Sequence, residues 1–384
     1  MKKINNKKKI ILIIVIVIFA LLVLGVEKVY SQIKLINSQK QELVQSIGDL
    51  NGKIQELKNI DQVKINEKLN EDIKTIEKNY QESVKIYERI LDISNKGNIL
   101  KIETSWAEII SLLSKNNYAS ASAAMQKLSL DIKKIEEQPT VAKIPENLPI
   151  KDTPPGSGQS KQIVKTDVGD FVVNIISANL NDTKLVVDTA SNSDCKNDCP
   201  VLPLAEFAKR SGAIAAINGP YFCPATYPSC SDKKNSFDTL LMNKNKTYFN
   251  SDNNVYSINP VAIFSNSSRF VENGSSWGRD TSVDAVIMGR PLLVFNGEVK
   301  FFGNSDTKET SRGNRSFLGA SDGTVYIGIV YSATVAETAK VLAKLGIKNA
   351  INLDSGGSSA FWSNGRYLAG PGRDLPFGIL LVKR

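Results

Sequence analysis

Residues Val335–Ser359 read VAETAKVLAKLGIKNAINLDSGGSS and contain the pattern that decides the fold of the C-terminal part of the chain. Apolar residues recur at helical spacing over Val335–Leu345, and Gly346 is typical of a helix stop. A short apolar strand then ends at Asn352 and leads into a loop with an aspartate, two glycines and two serines. The stretch therefore predicts a helix, a buried strand and a polar loop in that order.

The same order of elements occurs earlier in the chain. A helix over Pro203–Ser211 leads through Gly212 into the apolar strand Ala213–Asn218, and the loop Gly219–Phe222 follows. Apolar strands that follow helices tend to be central in one sheet, and ligands usually bind at loops beyond their carboxyl ends. If the two strands are neighbours, both loops open at one sheet edge, and we expect the functional site there.

The rest of residues 162–384 consists of short strands bounded by Gly, Asn and Asp turns. The predicted strands are Phe171–Ala178, Lys184–Thr189, Val261–Phe264, Val283–Met288, Leu292–Phe295, Val325–Val330 and Phe377–Val382. Because only two convincing helices interrupt them, the sequence predicts an α+β head with a mixed sheet.

The N-terminus predicts a membrane anchor. Residues 10–26 contain no charged side chain, and about 17–25 apolar residues span a bilayer as a helix. Five lysines in residues 1–9 carry more than half of the formal net charge of +9 and favour a cytoplasmic N-terminus, with everything after the anchor outside. A cleaved signal peptide is the alternative, but the apolar core is long and small-x-small spacing is absent. The remaining charge is too evenly spread to indicate nucleic-acid binding.

Residues 27–137 show helical periodicity and predict a coiled coil or bundle stalk, which can support a homo-oligomer. A helical hairpin is expected over Ile99–Ile135, packing back on the stalk, and the stalk is interpreted as a spacer. Five prolines and a Gly-Ser-Gly sequence in residues 138–161 then predict an extended linker before the head.

The four cysteines form two close pairs, Cys195 with Cys199 and Cys223 with Cys230. Two local disulfides in an oxidising compartment are the simplest interpretation. A four-thiolate zinc site is the alternative, although the spacing is irregular for one.

The sequence has no histidine, which excludes Ser-His-Asp and Cys-His nucleophile systems. General acid–base chemistry then depends mainly on carboxylates, and Asp354 can serve as an acid, a base or a metal ligand. Arg315 precedes an apolar strand, and a guanidinium is well shaped for bidentate phosphate recognition.

Four ordered blocks resemble the phosphodiester glycosidase family across nearly all of residues 162–384. The blocks are Asn218–Phe222, Arg315–Gly319, Thr334–Gly346 running into Asn352–Ser359, and Pro376–Val382. The resemblance implies hydrolysis of the bond between the anomeric carbon of a sugar and a phosphodiester, with a glycan or sugar phosphate as substrate.

The resemblance also implies roles for individual residues. Asp354 and Arg315 would be catalytic, the latter as a cationic phosphate clamp, and Asn218 and Tyr221 would contact the sugar. The phosphate pocket would be lined by Gly356, Gly357 and Ser358, and Ser359 would be a further substrate-binding residue. Neither a metal requirement nor its ligands follow from the sequence.

Two positions depart from the usual family pattern, because Pro220 and Ser355 each replace a glycine. Proline removes a backbone donor, and serine is poorly suited to a positive φ angle. These departures motivate an alternative function, a glycan- or wall-binding surface module with weakened catalysis.

Overall fold

The structure, a computed structural model, describes residues 3–58, 61–93, 99–137, 147–254, 256–278 and 280–384. Residues 138–146, which are the first part of the predicted linker, and the first two residues lie outside the described part. The chain divides into two compact units, Met1–Lys78 and Asn79–Arg384.

Eight α-helices are described. Their bounds are α1 Lys3–Lys58, α2 Asp61–Ile93, α3 Leu100–Ser114, α4 Tyr118–Glu137, α5 Leu204–Arg210, α6 Ser251–Asn254, α7 Thr307–Thr310 and α8 Val335–Lys344. Among the described residues, α1 is the one helix long and apolar enough to cross a membrane, in agreement with the predicted anchor segment. Thr334 caps α8 by accepting a hydrogen bond from the Glu337 N–H, while the Glu337 carboxylate accepts from Thr334 N–H.

The end of α2 forms a three-helix bundle with α3 and α4, as the predicted hairpin required. Isoleucines and leucines of the three helices form its buried core, with Ile109 and Ile132 fully buried. Arg89 of α2 is paired with Glu136 of α4 at 2.8 Å, and both side chains are largely buried. The last turns of α2 are therefore fixed to the hairpin by packing and by a charge pair.

Three antiparallel sheets form the head. The strands are β1 Gly158–Thr166, β2 Gly169–Asn179, β3 Thr183–Thr189, β4 Ala213–Asn218, β5 Leu241–Met242, β6 Tyr248–Phe249, β7 Val261–Phe264, β8 Ser268–Val271, β9 Ala285–Met288, β10 Leu292–Phe295, β11 Glu298–Val299, β12 Gly313–Ser321, β13 Thr324–Ala333, β14 Asn349–Asn352, β15 Phe361–Ser363, β16 Arg366–Ala369 and β17 Phe377–Lys383. The sheet orders are β1-β2-β13-β12-β14-β10-β11, β16-β15-β4-β17-β3 and β6-β5-β9-β7-β8. The α+β class and the seven predicted strands are confirmed. The predicted mixed sheet is wrong, because the strand pairs described in the three sheets are antiparallel.

The expectation that the two αβ units contribute neighbouring strands to one sheet is wrong. β4 pairs with β15 and β17, whereas β14 pairs with β10 and β12 in the other large sheet. Both strands are apolar because each lies between two partners and packs into the core. Apolar composition reports burial and does not identify the sheet to which a strand belongs.

β1 begins inside the segment expected to be linker. It pairs with β2 along its full length, from Gly158 opposite Ser177 to Thr166 opposite Gly169. Its first half is polar and largely exposed, as is usual at a sheet edge, and therefore lacks the apolar pattern that predicts a strand.

Gly328 of β13 supports the packing beneath β12, and its replacement tests this arrangement. A Cβ there would lie 2.4 Å from the Asn174 carbonyl oxygen and 2.9 Å from the Phe317 ring. We expect Gly328→Ala to lower the free energy of unfolding by about 2 kcal/mol through overpacking, measured by urea unfolding in mild detergent. Gly313→Ala in β12 is the matched control, because nothing lies within 4 Å of its added Cβ. Equal stability of the two variants would contradict this packing.

Candidate active site

The ends of β4 and β14 meet although they belong to different sheets, and the fully buried Asn218 joins them. Its Nδ2 donates to the Asp354 carbonyl at 2.7 Å, and the Asp354 N–H donates to the Gly219 carbonyl at 3.1 Å. Its Oδ1 accepts from Ser316 Oγ at 2.8 Å and from the Ala360 N–H at 3.1 Å. Asn218 thus positions the Asp354 loop, and both polar atoms of its buried amide have hydrogen-bond partners within the protein.

Tyr221 lies beside this junction. Asn352, the last residue of β14, donates its Nδ2 to the Tyr221 hydroxyl at 2.8 Å. The guanidinium of Arg290 lies 4.9 Å from the centre of the Tyr221 ring. Burial, followed by the nearby Asp354 carboxylate, raises the pKa of Tyr221 far above its usual value. The phenol is therefore a neutral hydrogen-bonding group at any physiological pH.

The loop after β14 presents Asp354 as the central titratable group. Burial raises the pKa of Asp354 to about 6, although bonds from Ser358 and the Ser355 N–H and the charge of Arg373 favour the ionised form. The charge of Asp92 acts in the same direction as burial. A carboxyl group with this pKa exchanges protons near neutral pH, as an acid–base catalyst requires.

Of the two departures from the family pattern, Ser355 fits its backbone without strain. Ser355 has φ −136° and ψ −170°, which is extended, and the positive φ of 63° falls on Gly356. Pro220 is buried after Gly219, whose own added Cβ would clash with the Phe377 ring at 2.3 Å. The glycines that remain are therefore those that the fold needs.

Arg373, in the turn before β17, lies against the loop Asp354–Ser359, which is called the glycine loop. A Cβ added to Gly357 would lie 2.3 Å from Arg373 Nη2. The backbone N–H of Arg373 donates to the Gly357 carbonyl at 2.9 Å. Its Nη1 is buried and has no hydrogen-bond partner among the described residues. A buried guanidinium N–H without an acceptor is costly, which makes this atom a candidate contact for an anionic ligand.

The helical bundle also contacts Arg373. Asp92 of α2 lies 3.5 Å from Arg373 Nη2 and accepts a hydrogen bond from the Tyr227 hydroxyl. Two cations lie close to the Tyr227 ring, with Arg373 5.2 Å and Lys308 4.8 Å from its centre. Burial and the adjacent Asp92 carboxylate raise the pKa of Tyr227, so that it remains a donor.

Arg315 is 5% exposed, and backbone carbonyls occupy much of its guanidinium. Its Nε donates to the Ala333 carbonyl at 3.0 Å, and its Nη2 donates to the carbonyls of Lys308, at 2.9 Å, and Ser311. These bonds attach α7 and its following turn to β12 and β13. Burial lowers the pKa of Arg315, whereas the nearby acidic groups, Tyr221 first among them, raise it.

Comparison with known families identifies this part of the head. Residues 211–382 match the family model described as phosphodiester glycosidase, and the match contains both strand ends, Asp354 and Arg373. This part of the head, residues 211–382, is similar to phosphodiester glycosidases and is termed the glycosidase domain. No curated protein sequence matches the chain.

Two solved structures resemble the glycosidase domain. A hypothetical protein from Synechocystis is 14% identical with a TM-score of 0.41; the match covers 59% of this chain and 62% of that one. The catalytic domain of zebrafish N-acetylglucosamine-1-phosphodiester α-N-acetylglucosaminidase, auto-inhibited by its pro-peptide, is 16% identical with a TM-score of 0.47. That match covers 59% of this chain and 83% of the zebrafish chain. The chain thus spans less than two thirds of the first of these proteins.

The glycosidase domain brings most of the sequence-predicted site residues to one place. Asn218, Tyr221 and the loop from Asp354 to Ser359 are linked by the contacts above, with Ser359 Oγ donating to the Asn314 carbonyl at 3.2 Å. The Asn218 side chain is fully buried, and its amide is hydrogen-bonded to other groups of the protein. The two expected disulfides, Cys195–Cys199 and Cys223–Cys230, are present. The second closes the loop that carries Tyr227.

Sequence reasoning missed Arg373, Arg290, Tyr227 and Asp92. Arg373 stands in Pro371-Gly372-Arg373-Asp374, which has the composition of a solvent turn, and Asp92 lies in a stalk helix. The close pairing of Cys223 with Cys230 was the one available signal that the Tyr227 loop is fixed. In the described residues, no group of three or more His, Cys, Asp or Glu side chains is placed to hold a metal ion.

The raised pKa of Asp354 is directly measurable. We expect its carboxyl to titrate near pH 6, followed by carbon-13 NMR of the aspartate side chains. Arg373→Gln removes a positive charge that favours the ionised form, so the pKa of Asp354 should rise further. Arg366→Gln, at an exposed position of β16, is the control and should leave it unchanged. An Asp354 pKa near 4 in the unmodified protein would contradict the enclosed site.

Proposed function

We propose that the protein is a membrane-anchored extracytoplasmic glycosidase that hydrolyses sugar-1-phosphodiester linkages of envelope or extracellular glycans. The observation that carries this proposal is Arg373, whose buried Nη1 lacks an acceptor beside the half-buried carboxyl group of Asp354. An anion-binding guanidinium next to a group that titrates near neutral pH is what cleavage of a sugar phosphodiester requires.

In the proposed reaction, water attacks the anomeric carbon while the bond from that carbon to the phosphate oxygen breaks. The electron pair of this bond goes to the phosphate, which leaves with a second negative charge. Arg373 is assigned to stabilise that developing charge, in place of the clamp that the sequence assigned to Arg315. Asp354 in its ionised form accepts the proton that the attacking water loses.

The glycine loop and Tyr221 complete the proposed site. Gly356, Gly357 and Ser358 border the phosphate position, because Arg373 lies directly on Gly357. Tyr221 is assigned to the sugar side as a neutral hydroxyl group that meets Asn352. Asn218 is proposed to act through Asp354, whose loop it positions.

The proposed location rests on the N-terminus and the cysteines. The apolar segment of α1 is fully exposed, as expected of a segment in contact with lipid, and five lysines precede it. The two disulfides of the head fit an oxidising compartment outside the cytoplasm. The exposed apolar side chains of α1 at Leu43, Ile47 and Leu50 support a further proposal, that the stalk assembles as a coiled-coil homo-oligomer.

Turnover of a sugar-1-phosphodiester by the full-length protein in detergent micelles tests the function. We expect free sugar to be released, with oxygen-18 from labelled water found in the sugar and not in the phosphate. Asp354→Asn and Arg373→Gln should each lower kcat/KM by about 100-fold or more, and Arg366→Gln should not. Glycan binding without turnover over a panel of phosphodiesters would favour the alternative of a binding module, and label in the phosphate would indicate a phosphodiesterase.

The pH dependence of this turnover tests the role of Asp354. A base with a pKa of about 6 is ionised above that pH, so kcat/KM should rise as pH increases through about 6 and then level off. Arg373→Gln should move this rise to higher pH in its residual activity, because it raises the pKa of Asp354. A rate that falls through the same pH range would instead assign Asp354 as a general acid.

A further inference from the structure

The last turns of α2 have two differently used faces. Ile86, Ile90 and Ile93 are buried in the bundle core. Glu88 and Asp92, four residues apart on another face of the helix, meet the glycosidase domain. The bundle is therefore joined to the head by a carboxylate-bearing helix face and is more than a spacer.

The two carboxylates have different partners in the head. Glu88 is buried and accepts a hydrogen bond from the Ser229 N–H at 3.1 Å, in the disulfide-closed loop. Asp92 accepts from the Tyr227 hydroxyl of the same loop and lies 3.5 Å from Arg373 Nη2. Glu88 fixes the docking of the helix, whereas Asp92 places a negative charge at the proposed phosphate clamp.

The charge of Arg373 is therefore partly offset before a ligand arrives. Asp92 and, when ionised, Asp354 lie near the Arg373 guanidinium. Lys308 lies 4.8 Å from the centre of the Tyr227 ring, and its charge is exposed and screened by solvent. A phosphodiester carries one negative charge, whereas a phosphomonoester above its second pKa, about 6, carries two. Repulsion by Asp92 reduces the stabilisation that the second charge of a bound monoester gains from Arg373.

We propose that Asp92, supplied by the helical bundle, is a specificity-determining residue that makes the site select monoanionic phosphodiesters over dianionic phosphomonoesters. This inference rests on the proposed function, since it assigns the phosphate position to Arg373. It also gives the enzyme a means of avoiding inhibition by phosphomonoesters, the class of product that its own reaction releases.

Equilibrium binding of two small probes to the full-length protein in detergent micelles tests this selection. Methyl phosphate and dimethyl phosphate are titrated at about pH 8, where the former is a dianion, and binding is followed by phosphorus-31 NMR. The unmodified protein should prefer dimethyl phosphate. Asp92→Asn should strengthen methyl phosphate binding by about ten-fold relative to dimethyl phosphate, because one unit charge is removed at the clamp while the acceptor for Tyr227 is kept.

Two variants separate charge selection from docking. Glu88→Gln removes one charge from the same helix face away from Arg373 and should leave the affinity ratio unchanged. Tyr227→Phe removes the hydrogen bond to Asp92 but keeps the negative charge of Asp92, so it should also preserve the preference for the diester. This variant still tests the proposal if Asp92→Asn fails to fold. Equal strengthening of both probes by Asp92→Asn, or loss of preference in Tyr227→Phe, would overturn the proposal.

The probes also separate this inference from the proposed function. Binding needs no turnover, so an altered affinity ratio in a protein that cleaves no phosphodiester would leave charge selection intact and remove the enzymatic proposal. Turnover of phosphodiesters with an unaltered ratio in Asp92→Asn would do the reverse.

Discussion

A single buried amide, that of Asn218, determines how the two large sheets of the head meet. β4 and β14 have no common strand partner, yet Asn218 Nδ2 and Oδ1 bond to groups on both sides of the junction, at Asp354, Ser316 and Ala360. An amide can donate and accept in one plane, which a carboxylate or an aliphatic side chain cannot do. The direction in which the glycine loop leaves β14 depends on this bond set, and so does the place of Asp354.

Partial burial gives the resulting site its chemistry. Protein atoms around Asp354 raise its pKa to about 6, and they leave Arg373 with a buried N–H that no described residue satisfies. Both effects come from removing polar groups from water without giving them complete partners. Such a site is less stable than a fully paired one and correspondingly able to interact with a charged ligand. Arg315 differs from Arg373 in this respect. The guanidinium of Arg315 donates to backbone carbonyls and stabilises the fold, whereas that of Arg373 has an unsatisfied N–H.

The three-helix bundle at the end of the predicted stalk contacts the head. Its core isoleucines and the Arg89–Glu136 pair fix the end of α2, and Glu88 and Asp92 then bring two carboxylates to the head. A helix that only separates a membrane from an enzyme needs a polar outer face with no defined partners. Here the outer face has defined hydrogen bonds at the edge of the glycine loop, which is why a residue far away in sequence influences the pKa of Asp354.

Local patterns in the sequence were sufficient for the long apolar N-terminal helix, the helical hairpin, both disulfides, the main strands and the loop Asp354–Ser359, because each depends on residues close together in the chain. The sequence could not determine that β4 and β14 lie in different sheets, because apolar strands look alike wherever they are buried. Nor could it distinguish Arg315 from Arg373, since the partners of a guanidinium are decided by distant carbonyls and carboxylates. Asp92 is the clearest case: in the sequence it is one polar residue of an amphipathic helix, and only the packing of the bundle on the head places its charge 3.5 Å from Arg373.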